Sequence, residues 1–188
     1  ATAADKVNTT GIPTGEAPMP DAQLMASLKQ TGVSVLPLAQ GSPWLAIHLL
    51  HADSGLAMAF DKLKPLAGNI AHLHTGGKTL TAAQWQVVGL CTHLTRLHAT
   101  GTPLPAEALP AIAALPQLQW LNLSGSTLPP TGLEKLGKLG SLQHLYLYGT
   151  ALPAAQVARL AQQLPTCRID TGGYRLPMLA SDTVVVKW

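Results

Sequence analysis

Charge is scarce in this sequence. Asp, Glu, Lys and Arg make up 11% of its 188 residues, against roughly a quarter in an ordinary soluble domain. The formal net charge is +3 and the basic residues are scattered, so the chain lacks the clustered cationic face that a nucleic-acid binder needs. Long hydrophobic runs are also missing. The most apolar stretch, Ala106–Leu115, is cut by Pro110 and closed by Pro116, well short of the ~18 apolar residues of a membrane-crossing helix. No glycine-rich phosphate cradle follows any predicted strand. There are only two cysteines. Cys91 falls just before the third predicted strand and Cys167 in the sixth. Three strand spacings of ~4.8 Å separate those strands, beyond the reach of a disulfide, so both read as small hydrophobes.

What the chain has in quantity is repetition. The phrase LQWLNLSGSTL at Leu118–Leu128 returns upstream as LTRLHATGTPL (Leu94–Leu104) and IAHLHTGGKTL (Ile70–Leu80), and downstream as LQHLYLYGTAL (Leu142–Leu152), each step being 24 residues. Two looser copies flank these at the same spacing, AIHLLHADSGL (Ala46–Leu56) and TCRIDTGGYRL (Thr166–Leu176). A period in the twenties with an LxxLxL core is the leucine-rich repeat signature. The expected fold is therefore α/β. It is a right-handed leucine-rich repeat solenoid of six 24-residue repeats, with short parallel strands on the concave face and short helices on the convex face.

The positions within the repeat assign the interior. One inward column reads Leu49, Leu73, Leu97, Leu121, Leu145, Ile169; another is leucine throughout, at Leu56, Leu80, Leu104, Leu128, Leu152 and Leu176. Each leucine buried contributes about 1.5–3 kcal/mol. Glycine recurs where the chain leaves the strand (Gly77, Gly101, Gly125, Gly149, Gly173), which predicts a positive φ there. A hydroxyl usually follows (Ser54, Thr102, Ser126, Thr150) and is expected to bond neighbouring backbone. Pro105, Pro129, Pro153 and Pro177 come next, suited to a first helical turn. Short helices are expected in repeats two to five, with the first displaced.

Around the repeats, residues 1–20 have linker composition and are expected to lie as an extended tail against the solenoid or a partner. The opening ATAAD reads as a processed N-terminus or the start of a fragment. Residues 21–45 form an N-terminal cap: a helix started by Asp21 and stopped by Gly32, then a strand at Val33–Leu38. Residues 46–176 are the repeats. Residues 177–188 form a C-terminal cap in which the TVVV strand and Trp188 cover the open end.

Function falls to the side chains that the core does not need. Two strand columns project onto the concave face. One reads His48, His72, Arg96, Trp120, His144, Arg168, the other Leu50, His74, His98, Asn122, Tyr146, Asp170, with Tyr148 extending the aromatic end. Five of the seven histidines share this ribbon. It is either a set of merely tolerated polar residues or a recognition surface, where aromatics and arginine dominate the energy. In the second reading His72, His74, Arg96, His98, Trp120, Asn122, His144, Tyr146, Tyr148, Arg168 and Asp170 contact a partner. A metal alternative pairs His48 with His72 and His74 with His98 across adjacent strands, and draws its ligands from those four. A glycan- or peptide-sensing receptor would use Trp120, Tyr146 and Tyr148. Catalysis is not expected. Asp170 is the sole carboxylate of the two columns, and a Ser124–histidine pair would lack an orienting third group.

The repeat, with Thr131-Gly132-Leu133 in its helical part, resembles the bacterial leucine-rich repeats described as ribonuclease-inhibitor-like. The phrases LKQTGVSVLPLAQGSPWLAIHLLHA (Leu28–Ala52), LYLYGT (Leu145–Thr150) and IDTGGYRLPMLASDT (Ile169–Thr183) resemble the C-terminal repeat region of membrane-anchored proteins that carry a planctomycete-type c-type cytochrome domain. That resemblance implies an extracytoplasmic, periplasmic or outer-membrane-side module acting as accessory subunit to a c-type cytochrome or membrane redox complex. The chain itself has no CxxCH, since Cys91 is followed only by Thr92-His93, so it holds no haem of that kind. The reading is thus a non-catalytic protein-protein interaction module with no cofactor and no transmembrane segment of its own.

Overall fold

The computed structural model describes residues 11–52, 55–129 and 131–173. Seven strands form one mixed sheet in chain order: β1 (Ser34–Pro37), β2 (Leu45–His48), β3 (Ile70–His74), β4 (Arg96–His98), β5 (Trp120–Asn122), β6 (His144–Tyr146) and β7 (Arg168–Asp170). β1 pairs antiparallel with β2, and every later pair is parallel. Helix α1 (Ala22–Lys29) precedes β1, and α2 (Leu56–Leu63), α3 (Ala82–Gly89), α4 (Ala108–Ala113) and α5 (Ala154–Gln163) lie between later strands. Two 3-10 helices, Lys64–Asn69 and Leu133–Lys138, complete the connections.

From β3 onward the register is uniform. Leu73 faces Leu97, Leu97 faces Leu121, Leu121 faces Leu145 and Leu145 faces Ile169, each step being 24 residues. In β4, β5 and β6 only the middle residue is buried, as alternation along a strand requires. Each buried leucine enters one core with helix residues such as Trp85, Ile112 and Leu136. The backbone ladder extends one step past the strands: Ala99 donates to the Asn122 carbonyl, Leu123 to that of Tyr146, and Leu147 to that of Asp170.

The glycine expectation is met, and the hydroxyl expectation holds at Ser126 and Thr150 but not at Thr102, which bonds a side chain. Gly77, Gly101, Gly125, Gly149 and Gly173 all have φ between 66° and 77°. The Ser126 hydroxyl donates to the Ala99 carbonyl, Thr150 to Leu147, and Thr102 bonds the Thr75 hydroxyl. Asp21 caps α1 by accepting from Gln23 and Leu24, and Thr81 and Gln84 form a capping box on α3. Both thiols are free; burial raises Cys91 to about 12 and half-buried Cys167 to about 11. Cys167 lies one residue before its strand rather than in it.

Four expectations need correction. First, β2 is out of phase with the other strands. Ile47, not Leu49, pairs with Leu73, and a register shift at Leu45/Ala46 leaves Ala71 of β3 as an extra residue between the paired Ile70 and His72. Leu49 is still buried, one step past the strand. Second, the helix between β5 and β6 is a 3-10 segment. Glycines at 132, 137 and 140 and Pro129 make that stretch a poor α-helix. Third, the prolines precede their helices: Pro153 is the N-cap of α5, and Pro105 sits in a turn ahead of α4. Fourth, the second leucine column is deeply buried only at Leu80 and Leu104, whereas Leu56, Leu128 and Leu152 are partly exposed. Residues 1–10, Ser54, Leu176, Pro177 and the expected cap over 177–188 with Trp188 lie outside the described residues.

This difference in burial is measurable. Leu121→Ala should cost about 3–5 kcal/mol, and Leu128→Ala less than half as much, because the exposed edge of Leu128 leaves a smaller cavity. Urea unfolding of the two variants checks both values.

Candidate functional site

The sheet face opposite the core carries two columns of side chains, because residues one position either side of each buried leucine turn outward together. One column runs His72, Arg96, Trp120, His144, Arg168; the other runs His48, His74, His98, Asn122, Tyr146, Asp170. All are partly buried except Arg168, which is exposed. The phase shift of β2 moves His48 from the first column to the second. The expected His48–His72 pairing is therefore absent, and His48 neighbours His74 instead.

The second column begins with three imidazoles stacked face to face. His48 and His74 have centroids 4.2 Å apart, and His74 and His98 4.0 Å apart, with planes within 7° in both pairs. Burial, then the fields of neighbouring bases, lowers His74 to about 4. Burial is also the leading cause that lowers His72 and His98. Ring nitrogens bind metals in the ring plane, so parallel stacked rings do not converge on one ion. Among the described residues no group of three or more His, Cys, Asp or Glu side chains is placed to hold a metal. His48, His74, His98, Leu50, Gly76, Gly77 and Thr100 line a cleft of about 380 Å³.

The middle of the face is aromatic. The Arg96 guanidinium lies over the Trp120 ring, 5.0 Å from its centroid. Trp120 contacts His144 at 4.3 Å and Tyr146 at 5.7 Å, both tilted by more than 40°. Beyond the strand, Tyr148 is 65% exposed. Gly172, at φ +74°, packs on its ring so closely that a Cβ there would collide with it. Asn122 and Asp170 each give a side-chain oxygen to a nearby backbone N–H, of Ser124 and Gly172. They shape the strand exits as well as the surface.

Sequence reasoning expected a tail against the solenoid or a partner but did not locate where it docks. Residues 11–18 run as a strap along the sheet margin, with Gly11 reaching this face. Pro18 O accepts from Asn69 Nδ2 at 2.7 Å. Thr14 N–H donates to Gln117 Oε1 at 2.8 Å, and Gln117 Nε2 donates back to Thr14 O at 3.0 Å. Gly11 O accepts from Thr95 Oγ1 at 2.6 Å and His72 Nε2 at 3.0 Å. Gly11 is buried with φ +70° against the Arg96 guanidinium, where any side chain would clash. Its docking partners Asn69, Thr95 and Gln117 are polar residues just before β3, β4 and β5. That recurrence was the available signal.

The lowered histidines set a pH dependence. Above about pH 6.5 the imidazoles are neutral in both folded and unfolded chains. As pH falls from there to about 4, the unfolded chain takes up protons first and stability drops. The melting temperature should fall over that window, and His74→Gln should flatten the fall; a pH series of thermal melts measures both. Compared with protein-family models and with curated proteins, the chain matches none.

Proposed function

We propose that this chain is a leucine-rich-repeat solenoid whose open sheet face captures a protein partner without catalysing a reaction. The repeat reading is supported by the constant 24-residue register from β3 to β7 and by leucines buried at matching positions. In this reading six repeats are stacked, the first displaced in phase, with strands on the concave side and helices on the convex.

The observation that carries the function is the continuous contact of Arg96, Trp120, His144 and Tyr146 on one rigid sheet face. Arginine, tryptophan and tyrosine held together and partly exposed are the composition of an interface hot spot. The sheet fixes their positions before binding, which lowers the ordering cost of association. Following the family resemblance, the partner is a c-type cytochrome or another subunit of a membrane electron-transfer complex, met outside the cytoplasm. No helix among the described residues is long and apolar enough to cross a membrane.

A second reading, a sugar stacked on Tyr148, is favoured by that ring's 65% exposure and the glycine behind it. Binding on a glycan array lost in Tyr148→Ala is its expected result.

For the main reading, the immobilised chain should retain from a membrane extract of its native host a protein with c-type haem absorbance. Trp120→Ala combined with Tyr146→Ala should lose it while the circular dichroism spectrum stays unchanged. Retention of the same proteins by the wild type and the variant would overturn this assignment of the surface.

A further inference from the structure

We propose that the cleft over β2, β3 and β4 is a binding site for an oxyanion, a carboxylate or phosphate group carried by a small molecule or by a partner chain. It is distinct from the aromatic centre, and its test needs no protein partner.

Three features of the cleft point to that chemistry. The parallel rings of His48, His74 and His98 line it together, so they offer it ring edges, where imidazole N–H donors lie. Gly76 and Gly77, at φ +63° and +74°, form another wall. With no side chains there, backbone can approach a ligand closely. Thr100 adds a hydroxyl and Leu50, 54% exposed, an apolar side.

The described titratable groups around the cleft are all bases. Among the described residues, the groups acting on the stacked imidazoles are His48 from β2, His72 and His74 from β3, and Arg96 and His98 from β4, with no carboxylate among them. Neutral rings tolerate face-to-face contact at 4.0 Å. A proton on the central ring puts a charge between two neighbouring imidazoles, and among the described residues no carboxylate acts on it. A bound oxyanion supplies a counterion and accepts the imidazole N–H groups. Binding and proton uptake are therefore linked, and affinity rises as the medium becomes more acidic.

The test follows the imidazole carbon-bound proton resonances of the full chain by NMR. Sodium sulfate, whose charge is constant over the range, is titrated at about pH 5.5 and about pH 7.5; a hexaglutamate peptide is titrated in parallel. The His74 and His98 signals should move together and saturate at the lower pH, with affinity about tenfold weaker at the higher one. The ligand should also raise the titration midpoint of His74. His74→Gln should bind about tenfold more weakly, and His98→Gln replaces it if that variant does not fold. A response to sulfate alone identifies a small oxyanion, and one to the peptide alone the carboxylates of a protein chain. No shift with either ligand at the lower pH, or equal affinity in wild type and folded variant, overturns the proposal.

Discussion

The register between neighbouring strands is the constraint on which everything else rests. Side chains alternate across a sheet with a period of two, so a slip of one residue would send a leucine to water and a histidine into the core. Leu73, Leu97, Leu121 and Leu145 are each at most 1% exposed, and their burial makes such a slip costly. The outward residues then have no freedom of placement. Arg96 must lie beside Trp120, and Trp120 beside His144. The ring contacts of the open face follow from hydrophobic burial on the other side.

Where the leucines were unambiguous the sequence was readable. The 24-residue period fixed the strands from β3 to β7, the composition of both outward columns from His72 and His74 onward, and the positive-φ glycines. It failed at β2 for an identifiable reason. Ile47 and Leu49 are both apolar and both end up buried, so the pattern had two admissible phases, and leucine spacing alone does not choose between them. The helix type after β5 was legible in principle, from Gly132, Gly137 and Gly140, but leucine spacing alone overrode it. A tail lying on the solenoid or a partner was legible, but not where it docks. Backbone carbonyls of the strap meet Asn69, Thr95 and Gln117, and polar residues ahead of the strands are a far weaker trace than a leucine column.

The open face divides into two chemically different halves. The β2–β4 half holds stacked imidazoles, of which His74 and His98 are held towards the neutral form by burial first and neighbouring bases second; the β4–β6 half holds a cation over an indole. Both arise from the same geometric rule, adjacent strands carrying equivalent residues. They differ because His98 and His48 oppose the ionisation of the His74 between them, whereas an arginine beside a tryptophan meets the electron-rich face of the ring.

A sheet whose spatial order equals its chain order resembles a zipper, in which each tooth engages only the next and opening can begin at either end. Residues 11–18 break that pattern. Thr14 and Gln117 lie 103 positions apart and Gly11 and Thr95 84 apart, so one short lace ties the leading edges of β3, β4 and β5. Those three strands consequently share one fate. Fraying that starts at a terminus stops when it meets the laced segment, and the surface bearing Arg96 and Trp120 sits within the most cooperative part of the molecule.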